Sequence, residues 1–356
     1  MATLIRQPAP VAGKTAVVLF NLGGPDGPHA VRPFLFNLFN DPAIIGAPKL
    51  VRWLLAKLIS SRRAPVAKAI YAKIGGGSPI LAQTRAQAMA LQQMLAAAGA
   101  EVRVFVAMRY WHPFVREVAA DMKAWRPDRI VLLPLYPQYS TTTTGSSLAE
   151  WRKVASEIGL TAPTSAICCY PDDSGWIAAQ TKLVEAAIDT SLQSQAAAPR
   201  ILFSAHGLPK KVVAGGDPYQ WQVERTVAAV LARLGGRQRD HVIAYQSRVG
   251  PLEWIGPSTE AEIARAGQDR VPLVVVPIAF VSEHSETLVE LDIEYREKAH
   301  AAGVPGFIRV PAVQTAPDFI AGLAALVQGA ATRNGLASGT GPRICPATCG
   351  RCAMPA

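Results

Sequence analysis

The sequence reads Leu202-Phe-Ser-Ala-His206-Gly-Leu-Pro209 at one point and Pro277-Ile-Ala-Phe280-Val-Ser-Glu283-His284-Ser-Glu286-Thr-Leu-Val-Glu290 at another. Each stretch is an apolar strand that breaks into polar, ionisable residues where a helix is expected to begin. In open α/β sheets, ligands bind in the crevice outside the carboxyl ends of the strands. A histidine on one strand end and glutamates on another are suited to holding a divalent metal or moving protons. The two stretches therefore predict a metal or acid–base site.

Short apolar runs divide the chain into two similar halves. The runs lie at 16–20, 102–107 and 130–135 in the first half and at 201–204, 242–245 and 273–278 in the second. They are rich in β-branched residues and do not alternate with polar ones, which is typical of parallel strands covered by helices on both faces. Helical stretches at 81–98 and 226–234 lie between them. The predicted fold class is α/β, with two similar doubly wound, Rossmann-like halves whose parallel four-stranded sheets face each other across a cleft.

The length of 356 residues suits two domains of ordinary size. We expect an N-terminal α/β half at 1–160 and a C-terminal half, which carries His206 and Glu286, at 161–331. The remainder, 332–356, is expected to be a flexible Gly/Ser-rich tail with a cysteine cluster.

The charge balance limits the classes of partner. An excess of 36 Lys+Arg over 26 Asp+Glu gives a formal net charge of +10, which suits anionic partners such as phospholipid surfaces or carboxylated ligands. No nucleic-acid-binding module is recognisable, so nucleic acid is not expected as a partner. No apolar run approaches the ~18 residues of a membrane span, and residues 1–15 lack the apolar core of a secretory signal. These features predict a cytoplasmic protein whose five cysteines are reduced unless they bind metal.

A row of glutamates begins at the second quoted strand end. Its members are Glu283, Glu286, Glu290, Glu294 and Glu297. In an α-helix their spacings keep all of the carboxylates on one face. Because like charges repel, the row favours a function with cations, either passing a hydrated metal ion inward or carrying protons outward. The alternative is a solvated face that Arg296 and Lys298 partly neutralise.

His206 allows two interpretations as well. A lone histidine at a strand end is more often a hydrogen-bonded structural group, and here the functional interpretation depends on its combination with the glutamate row. The sequence has no His-Glu-x-x-His zinc helix, no Gly-x-Ser-x-Gly elbow and no Walker loop.

The segment at 43–63 is unusually apolar for a stretch with so many basic residues. Pro48 is suited to opening a helix, and apolar side chains from Leu50 to Ile59 cover more than half of its circumference. A basic helix of this kind often lies on a membrane surface or borders an apolar pocket. The alternative is a helix that packs on the core.

The residues resemble those of the ferrochelatase family, which inserts ferrous iron into a porphyrin. The matching segments occur in family order: Asn21-Leu-Gly-Gly-Pro25, Ile74-Gly-Gly-Gly-Ser-Pro79, Met108-Arg109-Tyr110-Trp-His112-Pro, Tyr136-Pro-Gln-Tyr-Ser140 with Thr144-Gly-Ser-Ser147, Phe203-Ser-Ala-His206-Gly-Leu-Pro209, Gln246-Ser-Arg-Val-Gly-Pro251 with Trp254, and Phe280-Val-Ser-Glu-His284-Ser-Glu286-Thr-Leu. The resemblance implies a lyase that forms protohaem from protoporphyrin IX and Fe²⁺ with release of two protons, as the last step of haem biosynthesis.

The resemblance also implies roles for individual residues. His206 would be the central histidine, as iron ligand or pyrrole-proton acceptor, and Glu286 would face it as metal ligand or base. His284 would support that pair by hydrogen bonding, and Glu290 would be a further metal ligand that continues the relay with Glu294. The implied porphyrin-binding residues are Asn21, Leu22, Arg109, Tyr110, Trp254 and Phe280, with Arg63 and Ser78 at the propionates. The helix around Trp53 would be the membrane-facing lip of the pocket.

The cysteines suggest a second metal centre. Cys345, Cys349 and Cys352 are too few for a four-ligand site, and Cys168 or Cys169 is suited to supply the fourth thiol. Some ferrochelatases carry a [2Fe-2S] cluster on one upstream and three C-terminal cysteines, and this pattern is similar. It departs from animal members, whose upstream ligand lies in the segment that corresponds to 136–144. Zinc, or free thiols, are the alternatives to the cluster.

Two other functions fit part of the pattern. A porphyrin or haem carrier needs the pocket but not the glutamates, and a chelatase for coproporphyrin or another divalent metal needs both. No organic cofactor is implied, since Fe²⁺ is itself the substrate. The protein is expected to associate with a membrane surface, at the inner face of the plasma membrane, and to be a monomer or a homodimer.

Overall fold

The computed structural model describes residues 13–194, 197–236, 240–248 and 252–355. Most of 1–15, where no secretory signal is expected, lies outside these ranges, as do residues 249–251 of one matched motif. In the described chain the strands are β1 Lys14–Asn21, β2 Glu101–Met108, β3 Arg129–Pro134, β4 Thr164–Ile167, β5 Arg200–His206, β6 His241–Gln246, β7 Leu273–Pro277, β8 Phe307–Arg309 and β9 Gly335–Ala337.

Helices connect these strands. The α-helices are α1 Val31–Phe39, α2 Lys49–Ala72, α3 Ile80–Ala97, α4 Val115–Trp125, α5 Ser146–Glu157, α6 Ser174–Ser194, α7 Lys210–Ala214, α8 Tyr219–Arg233, α9 Thr259–Asp269, α10 Tyr295–Ala301 and α11 Pro317–Ala331. Two further helices, π1 Thr141–Gly145 and π2 Glu286–Glu294, have π geometry. No helix in the described ranges is long and apolar enough to cross a membrane.

The strands form two parallel sheets, as the fold class predicts. The first sheet has the order β2-β1-β3-β4-β9, and the second has the order β6-β5-β7-β8. In each sheet the first strand in chain order is an inner strand, with the second strand on one side of it and the later strands on the other, so the chain winds outward in both directions. The six predicted strands are all present, and the structure adds three short strands, β4, β8 and β9. The first sheet therefore has five strands rather than four.

The two halves share a hydrophobic core. One cluster of buried residues runs from Val17 and Leu133 in the first sheet to Phe203 and Val276 in the second. Helices α6, α8 and α11 contribute Trp176, Val227 and Phe319 to the same cluster. Burial on this scale holds the two sheets in one relative position, since apolar area removed from water stabilises by ~25 cal/mol per Å².

The expectation of a flexible tail is wrong. Residues 335–337 form β9, which pairs with β4 through Ser165 and Gly335, and Cys345 and Cys349 are buried. The Arg351 amide donates to the Gly216 carbonyl in the second half. The tail therefore contacts both halves. Strands β4 and β9 both lie in the first sheet, although they come after the expected domain boundary at 160/161. The sheets therefore do not follow that boundary, and the division into domains stays a prediction.

The apolar basic segment is the start of α2, which extends beyond 63 to Ala72. One side of the helix packs through Ala56, Ser60, Ala64 and Tyr71. The opposite side exposes a set of large apolar side chains: Leu50, Val51, Trp53, Leu54, Leu55 and Leu58. We call this set the apolar face of α2. One side of α2 therefore packs on the protein, as the alternative predicts, while the other side is exposed, and its contact with a membrane stays a prediction.

Candidate active site

The carboxyl ends of β5 and β7 bring the two quoted stretches together. His206 is the last residue of β5, and the chain leaves β7 at Pro277 and enters π2 at Glu286. Strands β5 and β7 are paired neighbours in the second sheet. The Nδ1 atom of His206 lies 2.9 Å from Oε2 of Glu286, with the two side chains 40% and 26% exposed.

This contact changes the proton affinity of both partners. Burial lowers the pKa of His206, but the Glu286 charge and hydrogen bond outweigh it, so the pKa is raised above its usual 6.5. Burial raises the pKa of Glu286, but the charge and hydrogen bond of His206 outweigh it and bring the pKa to about 2. The pair therefore holds a carboxylate next to an imidazole with strengthened affinity for a proton.

His284 stands on the other side of Glu286. Its Nε2 lies 3.8 Å from Glu286 Oε2, and its ring packs on Phe280 with centroids 4.7 Å apart. Its backbone amide donates to Thr287 Oγ1. Burial lowers the pKa of His284, so this imidazole is neutral near pH 7, with a nitrogen lone pair available as an acceptor or ligand.

Glu290 lies one turn further along π2. It accepts hydrogen bonds from the Ser247 amide at 2.9 Å and from the Tyr295 hydroxyl at 2.9 Å. Ser247 has a φ of +58°, an uncommon conformation for a residue other than glycine, and this conformation accompanies the amide contact. Burial and the Glu286 charge raise the pKa of Glu290. A second proton-accepting group therefore stands behind Glu286.

The predicted row of five glutamates on one α-helical face is wrong. The segment is a π-helix rather than an α-helix, and Glu283 precedes it. Glu283 turns into the protein and pairs with Arg309 at 2.8 Å. Glu294 pairs with Lys73 at 3.3 Å, and Glu297 is exposed on α10. Only Glu286 and Glu290 belong to the cluster around His206. π-helical turns are rare and frequently occur at functional sites.

Two further predicted pocket residues lie beside this cluster. Phe280 packs on His284, as above, and Trp254 packs on the turn after His206. A Cβ on Gly207 would lie 3.2 Å from Trp254 Cε3 and 2.9 Å from the Gln246 carbonyl oxygen. Only glycine leaves room for that turn. His206, Trp254 and Phe280 thus belong to one region.

The remaining predicted pocket residues lie in the first half. Asn21 ends β1, where its side chain donates to Thr84 and accepts from the Leu22 amide. Arg109 and Tyr110 follow β2, and both bind Asp41, at 2.8 Å each.

Ser78 and Arg63 also lie in the first half. Ser78 lies against Gly24, where a Cβ would approach Ser78 Cβ to 2.5 Å. Arg63 is exposed on α2, over the Phe39 ring. Contact of any of the predicted pocket residues with a porphyrin stays a prediction.

Asp41 and Ser247 were missed by the sequence analysis. Asp41 is 3% exposed and accepts from Tyr110, Arg109, Ser146 and the Ala43 amide. The Asn40-Asp41-Pro42 turn is its only local signal, and its partners are distant in sequence. Ser247 lies directly after β6 in the matched segment that begins at Gln246, but that match implies no role for it.

The cysteines come together at the tail. Cys168 and Cys169 sulfurs are 3.5 Å apart, and the thiols of Cys169 and Cys352 hydrogen-bond with Cys345. Hydrogen bonding from Cys169 lowers the pKa of Cys345 to about 6, and Gln222 Nε2 also donates to that sulfur. Among the described residues, however, no group of three or more His, Cys, Asp or Glu side chains is arranged to hold a metal ion.

The comparison with solved structures defines the class of fold. The chain is similar to the sirohydrochlorin chelatase SirB from Bacillus subtilis subspecies spizizenii in complex with cobalt, with a TM-score of 0.51 at 11% identity, covering 90% of this chain and 96% of SirB. The chain therefore shares the overall fold of SirB.

The comparison with sequences is more specific. A model of the ferrochelatase family matches residues 14–331. Ferrochelatase from Caulobacter vibrioides (strain NA1000 / CB15N) is 54% identical over 342 residues, covering 95% of both chains. Ferrochelatase from Phenylobacterium zucineum (strain HLK1) is also 54% identical over 342 residues, covering 96% of this chain and 98% of that one. The chain belongs to the ferrochelatase family, as its residues predict, and the activity of that family is iron insertion into a porphyrin in haem synthesis.

Proposed function

We propose that the protein inserts Fe²⁺ into protoporphyrin IX, forms protohaem and releases two protons, and that it is a lyase. The observation that carries this proposal is the His206–Glu286 contact of 2.9 Å at the end of β5, with Glu290 behind it. An imidazole and two carboxylates at one edge supply both of the things the reaction needs, which are oxygen and nitrogen ligands for iron and acceptors for pyrrole protons.

Proton removal explains why the residues are paired. The pyrrole N–H groups of a porphyrin are very weak acids, so a base has to be held near them as the metal enters. The raised pKa of His206 makes it the better proton acceptor of the two histidines. Glu286 stabilises the imidazolium that forms, and Glu290, with a raised pKa, is the next acceptor outward. Glu286 also serves as an iron ligand when His206 has taken the proton.

The predicted pocket residues would hold the porphyrin ring in place while its protons are removed and iron enters. Phe280 and Trp254 are aromatic and lie next to His284 and His206 respectively, and the first-half residues Asn21, Leu22, Arg109 and Tyr110 would form the opposite wall. Arg63 and Ser78 would bind the propionates, since a guanidinium pairs well with a carboxylate. Bending the ring between such walls exposes nitrogen lone pairs to one side and is a strain mechanism.

The exposed side of α2 supports the choice of porphyrin. Its apolar face favours a weakly carboxylated substrate, protoporphyrin IX rather than coproporphyrin. The choice of metal does not follow from the residues, because nitrogen and oxygen ligands rank divalent metals by small differences.

The test is an anaerobic assay of the protein with protoporphyrin IX and Fe²⁺ that follows loss of porphyrin fluorescence. We expect turnover by the wild type and a loss of about 10³-fold or more in His206→Ala and Glu286→Gln. His300→Ala and Glu297→Gln, exposed on α10, are the matched controls and should turn over normally. Porphyrin binding without insertion of Fe²⁺, Zn²⁺ or Co²⁺, also with coproporphyrin, would exclude the enzyme and leave a carrier.

We further propose that the apolar face of α2 docks on the cytoplasmic face of the plasma membrane, from which an apolar porphyrin can enter. Leu50 and Leu54 are 71% and 54% exposed, and Lys49 and Lys57 flank them with positive charge. In a flotation assay with anionic phosphatidylglycerol vesicles, Leu54→Glu should release the protein, whereas Leu192→Glu, at an exposed leucine on α6, should not. Equal flotation of both variants and the wild type would contradict the membrane proposal.

We propose a [2Fe-2S] cluster on Cys345, Cys349, Cys352 and Cys169. Four thiols meet the donor requirement of such a cluster, and Cys169 hydrogen-bonds with Cys345. A cluster there would join the tail to β4 as a structural or sensory element, since Fe²⁺ insertion needs no electrons. Cys169→Ser should remove the visible absorbance and acid-labile sulfide, and Cys168→Ser should keep both. The reverse result would make Cys168 the ligand, and a colourless wild type would exclude the cluster.

A further inference from the structure

Arg309 lies between two carboxylates of the segment that carries the site. It is the last residue of β8, and its side chain is 10% exposed. Its Nη1 lies 2.8 Å from Glu283 Oε1, and its Nε lies 3.3 Å from Asp292 Oδ2. Glu283 directly precedes His284, and Asp292 lies within π2. We call this group the Glu283–Arg309–Asp292 triad.

The triad spans the residues that face His206. Glu286 and Glu290 both lie in the interval between Glu283 and Asp292. Because a π-helix makes i→i+5 hydrogen bonds, its turns hold more residues than those of an α-helix. Asp292 and Glu286 therefore have a different angular relation in π2 from the one they would have in an α-helix. Arg309 therefore contacts Asp292 in the π-helical register that the structure shows.

Glu283, at the start of this interval, contacts both halves of the protein. Glu283 is 4% exposed, and its Oε1 also accepts from the Ala312 amide at 3.0 Å. Its own amide donates to Gln83 on α3 at 2.7 Å. A buried carboxylate is costly without a cation, so the position of Glu283, and with it that of His284, depends on Arg309.

We propose that Arg309 is a positioning residue for metal insertion, which fixes His284, Glu286 and Glu290 relative to His206 through Glu283 and Asp292. The inference rests on the proposed function. Arg309 acts through these carboxylates and needs no contact with the porphyrin or with iron. Its loss should lower the rate of the chemical step and leave porphyrin binding intact.

The experiment compares Arg309→Met with Arg200→Met. Arg200 is the matched control: it begins β5 in the same sheet, its side chain is 8% exposed, and it also binds two carboxylates, Asp240 and Asp269, at 2.8 Å each. It lies at the opposite end of β5 from His206. The porphyrin dissociation constant and binding stoichiometry are measured by fluorescence titration, and kcat with Fe²⁺ is expressed per porphyrin-binding site.

We expect Arg309→Met to lower kcat by about 10- to 100-fold, the effect of a displaced catalytic group, with the porphyrin dissociation constant within about twofold of the wild type. Arg200→Met should keep kcat per site. Arg309→Lys should recover part of kcat, because one ammonium can meet Glu283 but cannot hold both carboxylates as a guanidinium does.

If Arg309→Met misfolds because Glu283 has lost its cation, the double variant Glu283→Gln/Arg309→Met still tests the inference. It leaves no unpaired charge at this position, because Asp292 retains Arg296, and it should show the same low kcat. A normal kcat per site in Arg309→Met or in the double variant would overturn the inference, and so would an equal loss in Arg200→Met. Lack of turnover by the wild type would instead overturn the proposed function, and the inference with it.

Discussion

The strand ends of the two sheets use charge in opposite ways. At the first sheet, Asp41 is buried and its charge is matched by Arg109, with Tyr110 and Ser146 as further donors. At the second, His206 faces Glu286, and Glu290 lies behind without a cation of its own among the contacts described above. The pKa values of His206 and Glu286 are shifted in opposite directions as a result. The same architecture thus provides a closed, structural network at one edge and a proton-active site at the other.

The largest effect is expected from Asp41→Asn, which tests whether the network at the first sheet is structural. Removing one partner of a buried ion pair leaves Arg109 unmatched, so we expect a loss of about 3–5 kcal/mol in the free energy of unfolding. Urea denaturation measures this loss. The control is Asp26→Asn, whose exposed contact with His29 at 3.7 Å should contribute less than about 1 kcal/mol. If the two variants were equally stable, the network at the first sheet would not be structural.

Glu290→Gln tests the opposite edge. The amide keeps the shape of the carboxylate but accepts no proton, so kcat for iron insertion should fall by about tenfold or more. The midpoint of urea denaturation should stay close to that of the wild type, because the amide oxygen can still accept from Ser247 and Tyr295. Full activity in the purified variant would remove Glu290 from the proton path.

A finer test uses pH. Glu286, whose pKa falls from 4.5 to about 2, contributes stability above pH 4.5 and loses it as the pH falls towards 2. His206, whose pKa is raised from 6.5, contributes below pH 6.5 and loses its contribution as the pH rises through the folded-state pKa. Both contributions are complete only between pH 4.5 and 6.5.

The Tm of the wild type relative to Glu286→Gln should therefore be greatest in that interval and should decline on either side, by about 1–2 °C. Thermal denaturation from about pH 2.5 to about pH 9 measures the profile on both sides. A difference in Tm that is independent of pH would mean that the His206–Glu286 pair carries no charge in the folded protein.

The same contrast explains what could be predicted from the sequence. The central strands were predictable because buried parallel strands are continuous apolar runs. Strands β8 and β9 were not, because each has three residues and forms only by pairing with a neighbour. The Gly/Ser-rich composition around β9 indicated a linker, and tertiary pairing overrode that local preference.

Some residues of the candidate site were likewise predictable from the sequence, and others were not. His206 and Glu286 were predictable because they follow strands that meet at one edge. The position of Glu283 was not, because its orientation depends on Arg309, in a different strand. The π-helix was equally hidden, since the spacing of its glutamates suits an α-helix as well. Local sequence predicts which groups reach the edge, but long-range ion pairs decide which of them face each other.

The pairing of β4 with β9 also has a consequence while the chain is being synthesised on the ribosome. The two strands are separated by roughly 170 residues of chain, which a ribosome adds at about 5–20 residues per second. For roughly 10–30 s after β4 emerges, its outer edge has no native partner. An unpaired strand edge is a template for association with other chains. Nascent protein is therefore exposed to association at β4 until β9 is made and pairs with it.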